Sequence, residues 1–161
     1  MNGPQVLAKA TTDRPTSDAI VVSFHPYCYD KLKNRTFSAV IRRIIPTSIK
    51  PRWLYFHVTD PIRAICGRAS IRSIRRIDRE VAMGMERELD LPFVEIDEYI
   101  ADRKTIGLYE IGKIELPKEA LSFSKLAESM IYHPPQTYFA LSSEARRIID
   151  ELGGFEPSMR Q

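Results

Sequence analysis

The side chains best suited to do chemistry in this chain are arginines, and most of them lie in one stretch. Residues 31–79 contain thirteen basic and two acidic residues, a local net charge of +11 in a chain whose total is +3. Residues 80–128 contain twelve acidic and six basic residues. A block of one sign is the usual electrostatic signature of a polyanion partner. Guanidinium groups bind phosphate in pairs of hydrogen bonds and stack on bases, so nucleic acid is one candidate, but charge alone does not name the polyanion.

Two groups of arginines are the candidates for phosphate contacts. Arg42 and Arg43 are neighbours in a predicted strand, so one should face a cleft and the other should point outward. The second group is a run of six along the next long strand and its flanks: Arg63, Arg68, Arg72, Arg75, Arg76 and Arg79. Both groups have an alternative role inside the protein. One of the pair could bind Asp97 or Glu110, and the run could neutralise the acidic helices or keep a sheet face soluble.

Several aromatic and amide side chains are candidates for contacts with bases. Trp53, Tyr55 and His57 alternate along one strand, and Tyr138 follows near the end of the fold. Such side chains can stack on exposed bases, as in the recognition of single-stranded RNA. Gln136 could read a base edge. The alternatives are that the alternating aromatics belong to the core and that Gln136 bonds to backbone.

Groups suited to nucleophilic or metal chemistry are sparse. Cys28 follows His25 by three residues, which puts a thiol near an imidazole, but cysteine is commonly a small buried residue. The other histidines, His57 and His133, complete no recognisable metal-ligand spacing. Cys66 is the second of only two cysteines, and no CxxC motif is present, so a disulfide framework is not expected. We therefore predict no catalytic set, no metal and no cofactor.

A β-rich fold must position these residues. Runs of β-branched and aromatic residues predict five strands, at 19–24, 36–45, 53–58, 63–77 and 106–116. Helical spacing predicts four helices, at 27–33, 78–89, 93–102 and 144–152. Ser142 or Ser143 should cap the last helix, and Gly153-Gly154 should end it. No glycine-rich strand–helix turn indicates a Rossmann or P-loop domain, so the prediction is an α+β fold, a small mixed β-barrel with capping helices.

The length of 161 residues suits one domain with a hydrophobic core. We expect a flexible leader at 1–17, the barrel domain at 18–141, and a C-terminal helix and tail at 142–161. No stretch approaches the roughly 20 apolar residues that span a bilayer, and the N-terminus lacks the apolar core of a secretory signal. A cytoplasmic protein without a membrane partner is expected, and its oligomeric state is left open.

Seven short motifs follow one another between residues 18 and 141. They are SFHP (23–26), the stretch 37–43, YFHVTDP (55–61), ICGR (65–68), the helix 93–104, GLYEI (107–111) and PPQTY (134–138). In this order they resemble the ASCH domains of the PUA-like superfamily, and in particular short prokaryotic proteins described as predicted transcriptional regulators. The resemblance implies a PUA-like fold with a cleft that the basic helix–strand segment lines.

The resemblance also bears on catalysis. Some ASCH-type proteins are small amidohydrolases that act on acylated cytidine with a lysine, a threonine and a glutamate. In an ungapped alignment Phe37 stands at the family's lysine position and Val40 at its glutamate position, whereas Arg42 and Arg43 keep the family's arginine pair. Arg35 stands where glycine is common. Phenylalanine and valine cannot act as base or proton shuttle, so the resemblance favours binding over turnover.

The sequence therefore predicts a regulatory, non-catalytic nucleic-acid-binding module that takes RNA or a modified base, with RNA favoured over DNA. The candidate contact residues are His25, Lys33, Arg35, Arg42, Arg43, Tyr55, His57, Arg68, Arg72, Gln136 and Tyr138. Two alternatives stay open. One is a hydrolase of the same fold, an amidohydrolase or a ribonuclease, in which Arg35 and Glu110 replace the missing groups. The other is a protein-binding adaptor.

Overall fold

The computed structural model of the chain describes residues 16–134 and 136–156. Within them the strands are β1 (Thr16–Phe24), β2 (Ala39–Arg42), β3 (Trp53–Val58), β4 (Ala64–Asp78), β5 (Thr105–Glu115), β6 (Leu121–Ser122) and β7 (Phe139–Ser142). The helices are α1 (Tyr29–Asn34), α2 (Arg79–Met83), α3 (Glu86–Leu89), α4 (Phe93–Ile100), α5 (Phe123–Ser129) and α6 (Ser143–Gly153). A 3-10 turn, Pro26–Cys28, precedes α1.

The seven strands form one mixed sheet in the order β2-β5-β4-β3-β1-β7, and β6 pairs with β4. β1 and β3 are parallel, and the other pairs are antiparallel. The predicted α+β class is confirmed. The pairings between the described residues leave β2 and β7 at opposite ends of the order, so the sheet is not closed by strand pairing as the predicted barrel requires.

Both faces of the central strands are buried. On β3, Leu54, Phe56 and Val58 belong to one core cluster, whereas Tyr55 belongs to another that α5 and α6 cover. The alternation of side chains along β3 is therefore as predicted from its period of two. The second face is covered by α6, whose apolar edge was expected to pack on the sheet, and by α5, which was not predicted.

A third cluster joins the acidic helices to the β2–β5 end of the sheet. Ile96 and Ile100, four residues apart on α4, are fully buried against Ile41 and Leu108. This spacing puts both isoleucines on one helix face. The flanking face of α4, which carries Glu95 and Tyr99, lines a cleft.

Several predicted boundaries need correction. The predicted helix 78–89 is two helices, α2 and α3, because the chain leaves helical geometry at Gly84 and Met85. The predicted strand 36–45 is shortened to β2. The segment β6–α5 and strand β7 were not predicted, although Ser122 caps α5 by accepting a hydrogen bond from the Lys125 N–H.

The two ends of the chain lie mostly outside the described residues. Of the predicted leader 1–17, residues 1–15 lie outside them, and residues 16 and 17 belong to β1 rather than to a leader. Residues 157–161 of the predicted tail also lie outside. The predicted α6 cap is found, because the Ser142 hydroxyl accepts from the Ala145 N–H at 3.0 Å. No helix in the described part is long and apolar enough to span a membrane.

Candidate nucleic-acid interface

A cleft of about 380 Å³ lies where the end of β1 and the turn after it meet β2 and α4. Its polar lining comes from segments far apart in the chain and includes Ser23, His25, Cys28, Lys31, Arg42, Glu95 and Gln136. Pocket volumes of roughly 300–1,000 Å³ are typical of small-ligand sites in proteins. The cleft therefore has room for one small organic group.

The floor of the cleft is apolar and aromatic. Phe24, Phe37 and Val40 line it, and all three are buried. The Phe24 and Phe37 rings are stacked with centroids 6.2 Å apart, and both rings contact Phe56 beneath them. Phe37 and Val40 are the two positions where the resemblance expects lysine and glutamate. Their side chains contribute a hydrophobic surface in place of an acid–base pair.

Arg42 supplies a positive charge above this floor. Its Nη2 donates to the Ser23 carbonyl at 2.8 Å and its Nη1 to the Ile41 carbonyl at 2.7 Å. Its Cζ lies 4.3 Å from the centroid of the Phe24 ring, a cation–π contact. These contacts fix the guanidinium but use only part of its five N–H donors. Neither of the predicted carboxylate partners reaches it, because Asp97 binds Arg79 and Glu110 binds Arg75.

The helix α4 forms the wall opposite the turn. Glu95 and Tyr99, four residues apart, lie on the same helix face and both line the cleft, together with Tyr27 from the turn. Arg43 lies outside this wall, where its Nη2 donates to the Tyr99 carbonyl at 2.9 Å and its Cζ is 4.4 Å from the Tyr99 ring centroid. Arg42 and Arg43 therefore sit on the two sides of the wall.

The turn and α1 add an imidazole, a thiol and an amine. The His25 Nδ1 accepts from the Tyr27 N–H at 3.3 Å, so in the neutral ring Nε2 carries the proton. The Lys31 Nζ donates to the Asp90 carbonyl at 2.6 Å. Burial raises the pKa of the Cys28 thiol, which is therefore protonated at neutral pH. The described residues contain no hydrogen bond between His25 and Cys28 side chains, and no group of three or more possible metal ligands.

The structure brings three of the sequence-predicted residues together in the cleft: His25, Arg42 and Gln136. Lys33 and Arg35 lie outside it, exposed at the end of α1, where the Arg35 Nε donates to the Ile114 carbonyl at 2.9 Å. Tyr138 packs against the first core cluster and is partly buried. The remaining predicted residues lie elsewhere.

Tyr55, His57 and Arg68 were predicted to contact nucleic acid, and the structure corrects this. They are 0%, 1% and 1% exposed, because α5, α6 and residue Phe155 cover their side of the sheet. The His57 Nδ1 and the Tyr132 hydroxyl are 2.7 Å apart, and burial lowers the pKa of His57 to about 4. None of the three side chains is accessible to a large ligand.

The prediction that the six arginines of the run contact phosphate is also wrong for most of them. The run's members bind carboxylates in four cases, as the alternative interpretation holds: Arg63 with Asp60, Arg68 with Glu115 and Asp150, Arg75 with Glu110, and Arg79 with Asp97. Arg76 donates to the Thr105 hydroxyl and the Arg43 carbonyl. Arg72 is exposed, and no described residue forms a hydrogen bond or ion pair with its side chain.

Sequence reasoning missed Glu95, Tyr99 and Lys31 as cleft residues. The i, i+4 spacing of Glu95 and Tyr99 within a predicted helix was a usable signal. The helix was predicted, but nothing in the sequence showed that its polar face closes a cleft formed by residues more than fifty positions earlier.

Comparison with known proteins places the fold. No protein-family model and no curated protein matches the chain. Among solved structures, ASCH from Zymomonas mobilis superposes with a TM-score of 0.76 at 18% identity, covering 84% of this chain and 95% of that one. Human THYN1 in complex with 5-methylcytosine-containing DNA gives a TM-score of 0.52 at 10% identity, covering 86% of this chain and 99% of that one.

The N-terminal domain of McrB from Staphylothermus marinus gives a TM-score of 0.54 at 8% identity, covering 86% of this chain and 96% of that domain. At such identities these likenesses show the fold alone. The chain has the fold of the Zymomonas mobilis ASCH structures, as its motif order predicts.

Proposed function

We propose that this protein binds nucleic acid and holds one unpaired base in the cleft, acting as a regulatory binding module rather than as an enzyme. The observation that carries the proposal is the pairing of an aromatic floor with the Arg42 guanidinium, which forms no ion pair with a carboxylate among the described residues. Because the Arg42 guanidinium lies over the Phe24 ring, a planar heterocycle can stack on the guanidinium plane, and the remaining N–H groups can donate to the phosphate or to acceptors of the base.

The polar groups around the floor also suit a base. Glu95 is an acceptor, Arg42 is a donor, and the Gln136 amide is both. The edge of a base carries donors and acceptors side by side, and proteins that act on or read single bases hold them in pockets of this composition. Binding in this way requires a base that is unpaired or turned out of a duplex.

The preference for RNA or DNA can be measured by comparing the binding of both to the protein. RNA is favoured here because it presents unpaired bases more often than duplex DNA does. The fold-level likeness to human THYN1, whose structure holds 5-methylcytosine-containing DNA, makes single-stranded and methylated DNA equally necessary probes.

A hydrolase of the same fold is a second candidate for one specific reason. Lys31 and Glu95 both line the cleft, so an amine and a carboxylate are present even though Phe37 and Val40 occupy the family's positions. The Lys31 amine is held by the Asp90 carbonyl. Glu110, the carboxylate suggested from sequence, binds Ser73 and Arg75 outside the cleft and cannot serve.

The two native cysteines provide a test of where nucleic acid binds. Cys28 lines the cleft, whereas Cys66 is 3% exposed in the core and serves as an internal control. We expect single-stranded RNA or DNA to slow alkylation of Cys28 by a maleimide, measured by peptide mass spectrometry. The reaction is run at mildly alkaline pH because burial raises the pKa of the Cys28 thiol. Nucleic-acid binding that leaves Cys28 alkylation unchanged would place the site elsewhere.

Substitution of Arg42 measures its contribution. Arg42→Met should weaken binding by about tenfold to a hundredfold, because hydrogen bonds to a charged group contribute about 1.5–3 kcal/mol. Arg147→Met is the matched control, since Arg147 is exposed on α6 and, among the described residues, pairs with Glu151. Cleaved or deacylated product in the same samples, lost in Glu95→Gln, would establish the hydrolase instead.

A further inference from the structure

Arg72 differs from every other arginine of the run in having no described hydrogen-bond or ion-pair partner. The run's other members bind carboxylates, a hydroxyl or a backbone carbonyl, whereas the Arg72 side chain is exposed. The Glu110 carboxylate is bonded to Ser73 and Arg75, which hold its pKa below the ordinary value, and the nearby Arg72 charge lowers it further without forming a hydrogen bond or an ion pair with it among the described residues. The Arg72 guanidinium therefore keeps its N–H donors free for a ligand.

Other exposed cations lie on the segments next to it. The Ile71 N–H donates to the Arg52 carbonyl at 2.7 Å, which sets Arg52 beside the irregular part of β4 that carries Arg72. Lys50 precedes Arg52 by two residues, with the buried Pro51 between them. Both side chains are exposed, and neither has a carboxylate within 4.0 Å in the described part of the chain.

The neighbouring strand leaves room for Arg72. On β5, a Cβ added to Gly112 would overlap the Ser70 hydroxyl and lie 3.7 Å from the Arg72 Nε. The Arg72 side chain thus passes over a floor of glycine and serine with no bulky side chain between. Lys113, exposed and without an ion pair among the described residues, follows the glycine. We call Lys50, Arg52, Arg72 and Lys113 the basic patch.

The basic patch is separate from the cleft but belongs to the same sheet. The Arg52 N–H donates to the Asp18 carbonyl on β1, and Ser23 on the same strand lines the cleft. Five residues of strand at about 3.3 Å each give about 17 Å between the two places. Along one strand of a duplex, successive phosphates are about 3.4 Å apart. The roughly 17 Å between the cleft and the patch is therefore several nucleotides, and a single nucleotide in the cleft does not reach the patch.

We infer that the basic patch is a second nucleic-acid contact, which binds the phosphodiester backbone several nucleotides away from the base in the cleft. The inference rests on the proposed function and adds a phosphate-binding surface to it. Arginine and lysine without internal ion-pair partners release counterions from a polyanion when they bind, so the contact contributes affinity that depends on salt. Binding at the patch is independent of base identity, because it reads no base edge.

The test compares two double variants with two probes. Arg52→Gln/Arg72→Gln removes two charges of the patch, and Arg87→Gln/Lys125→Gln removes two exposed charges from α3 and α5 as the matched control. The probes are a nucleoside monophosphate and a single-stranded oligonucleotide long enough to span both sites. We expect the patch variant to bind the oligonucleotide about tenfold less tightly and the monophosphate unchanged. The slope of log K against log salt should fall by about 1.4, or about 0.7 for each lost contact.

The outcomes separate the patch from the cleft. If the patch variant and the control variant show the same oligonucleotide affinity and salt slope, the patch is not a contact and the inference is overturned, while the proposed function stands on Arg42→Met. If the wild-type protein binds neither probe, the proposed function itself fails. Binding of an acidic peptide by the patch, with no effect on the oligonucleotide, would also overturn the inference.

Discussion

Arg42 and Arg68 are two strand arginines with opposite surroundings. Arg68 is 1% exposed, binds Glu115 and Asp150, and lies with its Cζ 4.5 Å and 4.8 Å from the Trp53 and Phe155 ring centroids. Arg42 is partly exposed, donates to two backbone carbonyls and contacts one ring. Both guanidiniums are fixed in place, but only Arg68 is neutralised by carboxylates.

This difference separates an arginine that holds the fold together from one that remains free to bind. The buried cluster around Arg68 includes Arg146, whose Nη1 binds Asp18 at 2.5 Å, and Tyr55, whose hydroxyl binds Asp150 at 2.5 Å. It ties α6 to β1, β3 and β4. Burial, together with the Asp150 carboxylate, raises the pKa of Tyr55 to about 12, so this hydroxyl stays protonated as a donor.

The largest expected effect tests this division directly. Arg68→Met should lower the free energy of unfolding by about 3–5 kcal/mol, because removing one partner of a buried pair leaves charges uncompensated. Arg42→Met should lower it by less than about 1 kcal/mol, since Arg42 is partly exposed and bonds only to carbonyls. Urea unfolding of both variants measures the contrast. Equal destabilisation by the two substitutions would show that the cleft arginine is as structural as the buried one.

The histidines extend the comparison to pH. Burial holds the pKa of His57 at about 4, against 6.5 when unperturbed. As pH falls through 6.5 the unfolded chain takes up a proton that the folded His57 does not, so stability declines from there towards pH 4. The decline is at most about 1.4 kcal/mol per pH unit and about 3 kcal/mol in all. The pH dependence of urea unfolding should lose this component in His57→Gln.

His25 supplies the control for that measurement, because it is exposed at the cleft. His25→Gln should keep the wild-type decline between pH 6.5 and pH 4. A decline that persists unchanged in His57→Gln would mean that other groups, and not the buried imidazole, set the acid limit of stability.

The same contrast shows what sequence could and could not predict. Strand β3 and the Ser142 cap follow from local patterns, β-branched alternation and a hydroxyl before a helical run, so their positions were predicted. Arg42 and Arg68 both lie within predicted strands, and nothing in the neighbouring sequence tells their surroundings apart. What distinguishes them is Asp150, which is 82 residues from Arg68 and reaches it only through the packing of α6.

Like the fold, the cleft could be predicted from the sequence only in part. The resemblance brought His25, Arg42 and Gln136 to one place, and the missing lysine and glutamate pointed to a cleft without an acid–base pair. The wall from α4 could not be predicted, because tertiary packing of Ile96 and Ile100 decides which face of that helix is left for the cleft. Local sequence patterns determine the helices and strands, whereas contacts between distant segments decide which arginine is accessible to a ligand.

The smallest predicted effect concerns the end of that wall. Ala101 ends α4 at φ 58° and ψ −124°, a conformation that glycine adopts far more readily than alanine. Ala101→Gly should therefore raise the free energy of unfolding by about 1 kcal/mol, measured by urea unfolding, because the relief of strain exceeds the added entropy of the unfolded chain. Ala101→Val, which makes the same position worse, should lower it.

Because Ala101 does not line the cleft, nucleic-acid affinity should not change in either variant. An affinity that follows stability in these two variants would instead show that backbone strain at Ala101 sets the position of Glu95 and Tyr99. The cleft would then depend on the packing of the fold as closely as the Arg68 cluster does.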